Sequence, residues 1–306
     1  MTTDVTYSII PLAADAVLAP EEMGSKRKGW VQVPNDQEQW LFKYARLSAG
    51  AVTGEAWAEK IGAEFAALLG ISHARVELAT LEGHQGVISR RFAELSQPGT
   101  ELVHGNDLLA GLFTGYEREK HRGQSDHTLE NILTVVGKVI PEKAAQHEAM
   151  TQLAGYVVLD ALILNTDRHH ENWALLRTIG ANGQLTHRVA PTFDHASSLG
   201  RNEPVEKLTA WLREDWRPDW YAKRAVGAIY FRPDDKEGAN PIHLARISCR
   251  SWPEYFQGWL ERLRAIDFKD IEAIVMRVPE SVMADPQRQF ALALLAVTFN
   301  ELSSLR

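Results

Sequence analysis

Residues 165–172, NTDRHHEN, are all polar or charged, and they lie between two apolar segments of the chain. The stretch contains Asp167 and, five residues later, Asn172, and a second carboxylate, Asp194, follows in APTFDHASSLG. Carboxylate and amide oxygens are hard ligands that suit Mg²⁺, which in proteins prefers one or two carboxylates together with substrate phosphates. If the fold brings these three side chains together, the chemistry that they indicate is phosphoryl transfer.

A predicted β-hairpin brings the three side chains to one place. The pair Asn182-Gly183 separates two runs rich in apolar residues, and Asn-Gly between such runs strongly favours a hairpin. Asn172 directly precedes the first run and Asp194 follows the second, so the two are expected to be neighbours at the open end. Protein kinases use the same order: an Asp accepts the hydroxyl proton, and an Asn five residues later and a second Asp beyond a short hairpin hold the metal.

A phosphate-binding cation is predicted on an upstream strand. Lys43 lies among apolar residues in WLFKYAR, and a helix predicted over residues 53–69 follows. A lysine on a strand, oriented by a glutamate on the next helix, is the arrangement found in kinases. Glu59 is the predicted partner of Lys43, and Glu55 and Glu64 on the same helix are the alternatives.

The remaining pattern predicts an α+β fold of two lobes. Residues 26–47 contain two runs rich in aromatic and β-branched residues, separated by the turn-forming PNDQE. The helix over 53–69 has Thr53 as its expected N-cap and a Gly directly after its end. Two further strands follow, and beyond them the apolar spacing becomes helical. The sequence therefore predicts a protein-kinase-like architecture, with a small strand-rich lobe at 1–95 and a larger, mainly helical lobe at 96–306.

Composition is typical of a globular protein of 306 residues, with 45% hydrophobic and 24% charged residues. The formal net charge of -7 disfavours direct binding to nucleic acid through phosphate neutralisation. Cys249 is the sole cysteine, so no intrachain disulfide can form, which is typical of a reducing compartment. The N-terminal residues do not resemble a signal peptide, and the most apolar stretch, around Asp160, is too short to cross a membrane. We therefore expect a cytoplasmic protein without a membrane partner.

Four histidines near these motifs raise the alternative of a transition-metal site: His169, His170, His187 and His195. Zinc hydrolases often present two histidines four residues apart on a helix, and the sequence lacks that spacing. Two adjacent histidines on a loop also cannot easily face one ion. The sequence thus argues against a metal-dependent hydrolase. We expect instead that His169 braces the loop through hydrogen bonds.

These motifs together resemble the HipA-like serine/threonine kinases, a family of bacterial toxins with a kinase-like fold. The resemblance rests on NTDRHHEN, APTFDHASSLG, the upstream FK and the intervening AEKIGAEFAALLGI, and it spans roughly residues 20–200. It implies a protein kinase that depends on ATP and Mg²⁺, similar to the shorter, stand-alone members of the family. The residue roles that it implies are catalytic base for Asp167, metal ligands for Asn172 and Asp194, phosphate contact for Lys43 and ion-pair partner for Glu59.

The same resemblance implies a nucleotide-covering loop at MGSKRKGW, where Ser25 and Lys28 are the expected nucleotide-binding residues. The chain departs from the kinase pattern here, because Gly24 and Gly29 are the only glycines of the region and G-x-G-x-x-G is absent. Members of the family often pair with a small DNA-binding antitoxin, and some phosphorylate aminoacyl-tRNA synthetases. The resemblance therefore implies the toxin of a toxin–antitoxin system, with a Ser or Thr of a protein, such as one used in translation, as the acceptor.

Two alternatives stay open at the level of sequence. Related folds use a similar set of Asp and Asn residues to phosphorylate small molecules such as antibiotics or sugars. A chain of this fold could instead be a binding protein without turnover, although the presence of Lys43, Asp167, Asn172 and Asp194 argues against that. We expect a protein kinase first, a small-molecule kinase second and a silent binding protein third.

Overall fold

The structure is a computed structural model that describes residues 6–20, 27–48 and 50–305. It confirms the predicted α+β class, in which a β-rich N-terminal part is followed by a mainly helical C-terminal part. Ser25, a predicted nucleotide-binding residue, lies outside the described residues, as does the first half of the predicted nucleotide-covering loop. The boundary predicted after residue 95 stays a prediction.

The strands are β1 (Ile9–Leu12), β2 (Val17–Pro20), β3 (Lys28–Gln32), β4 (Gln39–Tyr44), β5 (Leu47–Ser48), β6 (Ala51–Val52), β7 (Val76–Leu81), β8 (His84–Arg90), β9 (Thr100–His104), β10 (Ala174–Ile179) and β11 (Leu185–Val189). The helices are α1 (Glu55–Leu69), α2 (Gly105–Leu112), α3 (Leu129–Val139), α4 (Lys143–Leu162), α5 (Val205–Trp211), α6 (Arg217–Arg224), α7 (Pro241–Ser251), α8 (Pro253–Arg264), α9 (Phe268–Met276) and α10 (Asp285–Ser303). One sheet has the strand order β1-β7-β8-β4-β3-β2, and a second sheet consists of β11, β10 and β9 with β10 in the middle.

Alternation along β4 separates a buried face of the first sheet from a face that lines a cleft. Trp40 and Phe42 are buried and pack with Val31 and Ile88 of the neighbouring strands. Because alternate residues of a strand share one face, Lys43 lies on the opposite face, where it lines the cleft. Trp40 and Phe42 therefore face the buried side of the sheet, whereas Leu41 and Lys43 face the cleft.

Helix α1 is buried along most of its length. Its N-cap is Gly54, so the predicted cap Thr53 is wrong by one residue. Glycine is required at the cap because a Cβ on Gly54 would lie 2.4 Å from the indole ring of Trp57. At the other end the predicted stop is confirmed, since Gly70 adopts the left-handed conformation, with φ +73°, that often ends helices.

The C-terminal helices pack around α4, whose second half is buried. Helix α4 contacts α7, α8 and α10, and α1 of the N-terminal part packs against α8 and α9. The main hydrophobic core therefore continues from one part of the molecule into the other. None of the helices in the described ranges combines the length and the apolar character that are needed to traverse a lipid bilayer.

Candidate active site

The predicted hairpin is confirmed as β10 and β11, which pair in antiparallel register. Its open end is tied together by the buried guanidinium of Arg168. The Nη1 atom of Arg168 donates to the carbonyl oxygen of Asn172 at 2.6 Å and to that of Phe193 at 2.8 Å. Asn172 precedes β10, and Phe193 is the residue before Asp194, so the two predicted metal ligands lie at the same end of the hairpin.

Arg168 is itself held by Asp160, in the last turn of α4. The carboxylate of Asp160 accepts hydrogen bonds from Nε and Nη2 of Arg168 at 2.7 and 2.8 Å, and from Nδ2 of Asn165 at 2.8 Å. Both members of the ion pair are buried. Burial alone lowers the pKa of the guanidinium, but Asp160 outweighs that effect and raises the pKa, so Arg168 stays charged. The loop that carries Asp167 is therefore anchored to the end of α4.

Asp167 lies on this loop with its carboxylate in the cleft. Its backbone N–H donates to Oδ1 of Asn165 at 3.1 Å, and its carbonyl oxygen accepts from Nδ2 of Asn172 at 2.7 Å. The hydroxyl of Ser197 donates to Oδ2 of Asp167 at 3.3 Å, and Nη2 of Arg201 donates to that hydroxyl oxygen at 2.9 Å. The backbone and the side chain of Asp167 are thus both restrained, with one carboxylate oxygen oriented by Ser197.

Lys43 and Asp194 meet across the cleft between the sheet and the hairpin. Nζ of Lys43 lies 3.5 Å from Oδ1 of Asp194. Burial lowers the pKa of Lys43, but the carboxylates of Asp194 and Glu59 together outweigh burial and raise it, so the ammonium group keeps its charge. Asp194 has φ +58°, in the left-handed region, which Asp tolerates better than most residues do. Its backbone N–H donates to Oε1 of Glu59 at 3.1 Å.

The three acidic residues considered on α1 have different partners. Glu64 pairs with Lys60 at 2.7 Å, one turn earlier on the same helix. Glu55 pairs with Arg201 at 2.5 Å. Glu59 accepts from the backbone of Asp194 and acts electrostatically on Lys43. Of the three, Glu59 is the residue that these contacts place beside Lys43 and Asp194, and its role as the partner of Lys43 stays a prediction.

A cleft of about 1120 Å³ lies between the first sheet and the C-terminal part, and it is lined by all of the described residues predicted to act in catalysis or in phosphate and metal binding except Glu59. Lys28 on β3 is the cross-strand partner of Lys43 on β4, so both side chains stand on the same face and line the cleft. Lysines and arginines outnumber Asp and Glu along its walls, although the whole chain has a net charge of -7. The cleft is therefore suited to an anionic ligand.

The four histidines considered from the sequence do not converge on one point. His187 lies on β11, and His195 is buried with Nε2 3.0 Å from the hydroxyl of Thr192. Nδ1 of His169 accepts the backbone N–H of Glu171 at 3.2 Å, so the prediction that His169 braces the loop through hydrogen bonds is confirmed. The rings of His169 and His170 are nearly perpendicular, at 88°.

His127 and His170 are both buried and neutral. Trp173 donates its indole N–H to Nε2 of His127 at 3.0 Å, and Nδ1 of His127 donates to the carbonyl oxygen of Ala228 at 2.9 Å. Burial lowers the pKa of His127 to about 3. Nδ1 of His170 lies 2.8 Å from the hydroxyl of Tyr116, and burial lowers the pKa of this histidine to about 4.

Two anchoring residues, Arg168 and Asp160, were not among the predicted site residues. An Asp inside the apolar run GYVVLDALIL and an Arg eight residues later were their traces in the sequence. A buried carboxylate requires a charged or hydrogen-bonding partner, and this rule could have identified Arg168 as the partner of Asp160. Ser197 and Arg201, which orient Asp167, left no comparable trace.

Comparisons with known proteins agree with the fold. The family described as HipA-like C-terminal domain matches residues 16–245 of the chain. No curated protein matches the sequence. Two solved structures are similar in fold. The Helicobacter pylori proinflammatory kinase CtkA is 18% identical with a TM-score of 0.71, and the alignment covers 93% of this chain and 92% of CtkA.

The second similar structure is HipA of Shewanella oneidensis, solved as a toxin–antitoxin complex with HipB and its operator DNA. It is 14% identical with a TM-score of 0.57, and the alignment covers 94% of this chain and 68% of that one. Identities this low show the shared kinase-like fold alone, while the family match spans most of the chain. The chain therefore belongs to the HipA-like C-terminal domain family.

Proposed function

We propose that this HipA-like chain is a serine/threonine protein kinase that depends on ATP and Mg²⁺. The observation that carries the proposal is the convergence on one cleft of a charged lysine, Lys43, 3.5 Å from Asp194, with Asp167 and Asn172 on the adjoining loop. Along the chain these residues follow the order Lys, Asp, Asn, Asp, which is the set that phosphoryl transfer by a kinase requires.

The donor set fits Mg²⁺. Nδ2 of Asn172 is engaged by the carbonyl oxygen of Asp167, so the side-chain oxygen of Asn172 is the atom available to a ligand. Together with the carboxylate of Asp194 it offers the hard oxygen donors that Mg²⁺ prefers. Asn172 and Asp194 would hold the ion, and bound Mg²⁺ would supply neutralisation of the charge that develops on the phosphates.

The cationic wall of the cleft supports ATP as the donor. Lys28 and Lys43 are directly opposite each other on adjacent strands, and like charges in such a pair repel. A polyphosphate bound in the cleft would interact favourably with both ammonium groups. Lys43 would contact the phosphates, and Asp194 and Glu59 keep it charged for that purpose.

Asp167 is the proposed acceptor of the hydroxyl proton. Ser197 occupies Oδ2, so Oδ1 is the oxygen oriented toward an incoming hydroxyl group. The hydrogen bond from Arg201 to Ser197 and the ion pair of Arg201 with Glu55 connect this carboxylate to α1. A base that is held in this way would align the acceptor oxygen without first having to be ordered.

The test is incubation of the purified chain with labelled ATP, Mg²⁺ and a cell lysate. Label on a discrete protein, on Ser or Thr, is the expected result. Asp194→Asn should abolish the label, and Asp167→Ala should lower the rate by about 10²-fold or more while ATP still binds. Label on small molecules alone would favour a small-molecule kinase, and no label with a folded chain would favour a silent binding protein.

We further propose a small DNA-binding antitoxin as a partner and a protein used in translation, such as an aminoacyl-tRNA synthetase, as a substrate. The support for the antitoxin is the structural similarity to HipA, which was solved together with HipB and operator DNA. Contact with DNA would then be made by the partner, because the net charge of this chain is -7. The test is to express the chain in its own host, to purify it, and to ask whether a small basic protein co-purifies with it.

A further inference from the structure

A cluster of His121, His170 and Glu171 lies at the rim of the cleft, and two of its members belong to the loop that carries Asp167. Nε2 of His121 lies 3.0 Å from Oε1 of Glu171. One potential ligand atom from each of the three side chains lies within 4.8 Å of those of the other two. His121 belongs to the polar segment between α2 and α3, whereas His170 and Glu171 belong to the loop before β10. The cluster therefore joins two segments that are distant in sequence.

One atom of the cluster is buried without a partner. Nε2 of His170 makes no hydrogen bond in the described structure, and His170 is 1% exposed. Leaving a buried polar atom without a partner costs about 1–3 kcal/mol, so such an atom indicates a missing ligand. The ring is oriented by its other nitrogen, since Nδ1 of His170 lies 2.8 Å from the hydroxyl of Tyr116. This is the geometry of a metal-binding histidine, whose second nitrogen is usually held by a hydrogen bond.

The third residue, Glu171, is positioned in the same way. Its side-chain Oε1 accepts from Nδ2 of Asn106 at 3.3 Å, and its backbone carbonyl oxygen accepts from Nδ1 of His104 at 2.8 Å. His121 is the most exposed member of the set, since its side chain is 41% exposed and lies on a loop. Its ring stacks on His169 at 5.1 Å and 8°, which keeps Nε2 directed at Glu171.

From this arrangement we propose that His121, His170 and Glu171 bind a divalent transition-metal ion such as Zn²⁺, at a site separate from the oxygen ligands of the cleft. Two imidazoles and one carboxylate form a ligand set known from zinc sites with an open position. Imidazole also favours Zn²⁺ and its neighbours in the periodic table over Mg²⁺. The ion would clamp the segment after α2 onto the loop that carries Asp167.

The proposal is tested by metal binding, with no measurement of catalysis. The full chain is freed of metal by a chelator and titrated with Co²⁺, while the visible absorption of the ion is recorded, and Zn²⁺ is then added as a competitor. We expect one equivalent of Co²⁺ to bind and to be displaced by Zn²⁺. His121→Ala and Glu171→Gln should each weaken binding by at least about 10-fold, as even groups that merely support metal ligands change affinity by ~10–100-fold.

Two matched variants make the result specific. His147→Ala removes an exposed histidine of α4 outside the cluster, and it should bind Co²⁺ like the unaltered chain. Asp194→Asn alters the oxygen ligands proposed for Mg²⁺, and it should also leave Co²⁺ binding unchanged. Loss of Co²⁺ binding in Asp194→Asn with retention in His121→Ala would overturn the proposal, and so would the absence of stoichiometric binding by the unaltered, folded chain at micromolar Co²⁺.

Discussion

The buried ion pair between Arg168 and Asp160 gives the sharpest prediction about stability. Arg168→Met removes a guanidinium that donates twice to Asp160 and also to the backbone carbonyl oxygens of Asn172 and Phe193. Methionine has a similar length and is apolar, so the change removes the hydrogen bonds with little loss of volume. The substitution leaves a carboxylate that is 5% exposed without its cation.

The expected cost follows from these contacts. Removing one partner of a buried ion pair typically costs 3–5 kcal/mol, because the other charge stays buried without compensation. The two carbonyl oxygens lose a charged donor as well, so we expect Arg168→Met to lower the free energy of unfolding by about 4–5 kcal/mol. Single domains are stable by roughly 5–15 kcal/mol, and the variant should therefore be close to the limit of folding.

A second variant separates stability from activity. Asp160→Leu combined with Arg168→Met replaces both charges with apolar groups. The free energy of unfolding lost in the double variant should therefore be smaller than the sum of the two single losses, by about 2 kcal/mol. It should still lack phosphotransfer, because the hydrogen bonds by which Arg168 joins Asn172 to Phe193 at the open end of the hairpin are lost. Urea unfolding measures the first effect, and the labelled-ATP assay measures the second.

The control is Arg177→Met, on the adjoining strand β10. Arg177 pairs with Glu101, and both side chains are exposed, at 41% and 51%. Exposed pairs contribute about 0–1 kcal/mol, so this change should be nearly silent. If Arg168→Met costs no more than Arg177→Met, or if the two single changes at the buried pair are fully additive, the anchoring role assigned to Arg168 is wrong.

Three other predictions follow from the contacts of the cleft and from burial. Lys43→Ala should abolish phosphotransfer, and Glu59→Ala should reduce its rate by a smaller factor. The double variant should be little worse than Lys43→Ala, because the two residues act as a unit. If the two losses in rate multiply fully, the residues act independently. Because burial lowers the pKa of His127 from 6.5 to about 3, the unfolded chain takes up this proton first as pH falls. The free energy of unfolding should therefore drop by about 2 kcal/mol more between pH 7 and pH 5 in the unaltered chain than in His127→Gln, as measured with urea at both pH values. Burial raises the pKa of the Cys249 thiol to about 11, so a thiol reagent should react with Cys249 only as fast as the folded chain opens. Urea should accelerate this reaction, and rapid labelling in buffer alone would contradict the prediction.

Local patterns in the sequence were sufficient for the elements that carry the candidate site. The Asn-Gly turn predicted the hairpin because turn residues with positive φ act within a few positions, and Gly183 has φ +77°. A run rich in aromatic and β-branched residues predicted the strand of Lys43, because such side chains fit a pleated and partly buried surface. These properties need no knowledge of distant partners, which is why they could be predicted.

The choice of partners could not be predicted in the same way. Strand β9 was missed, because Thr100–His104 is only five residues long and is stabilised by pairing with β10, which is distant in sequence. The contact of Glu59 with the backbone of Asp194 joins residues 135 positions apart, and no periodicity encodes it. His121 was missed as a candidate ligand for the same reason, since its polar segment has a loop-like pattern and its partners lie about 50 positions later.

Asp194 is the residue at which these long-range contacts combine. Its carboxylate faces Lys43 of β4, its backbone N–H is held by Glu59 of α1, and the carbonyl oxygen of the preceding Phe193 is held by Arg168. A residue other than glycine with φ +58° is uncommon and persists where its surroundings fix it, which three elements do here. If Asp194 holds a metal ion against phosphates, as proposed, such restraint is an advantage, because no ordering is then needed when the ligand binds. Arg168, Glu59 and Lys43 therefore form the frame that orients Asp194. The cost of desolvating these charges is offset by contacts with Asp160, with the backbone of Asp194 and with its carboxylate, respectively.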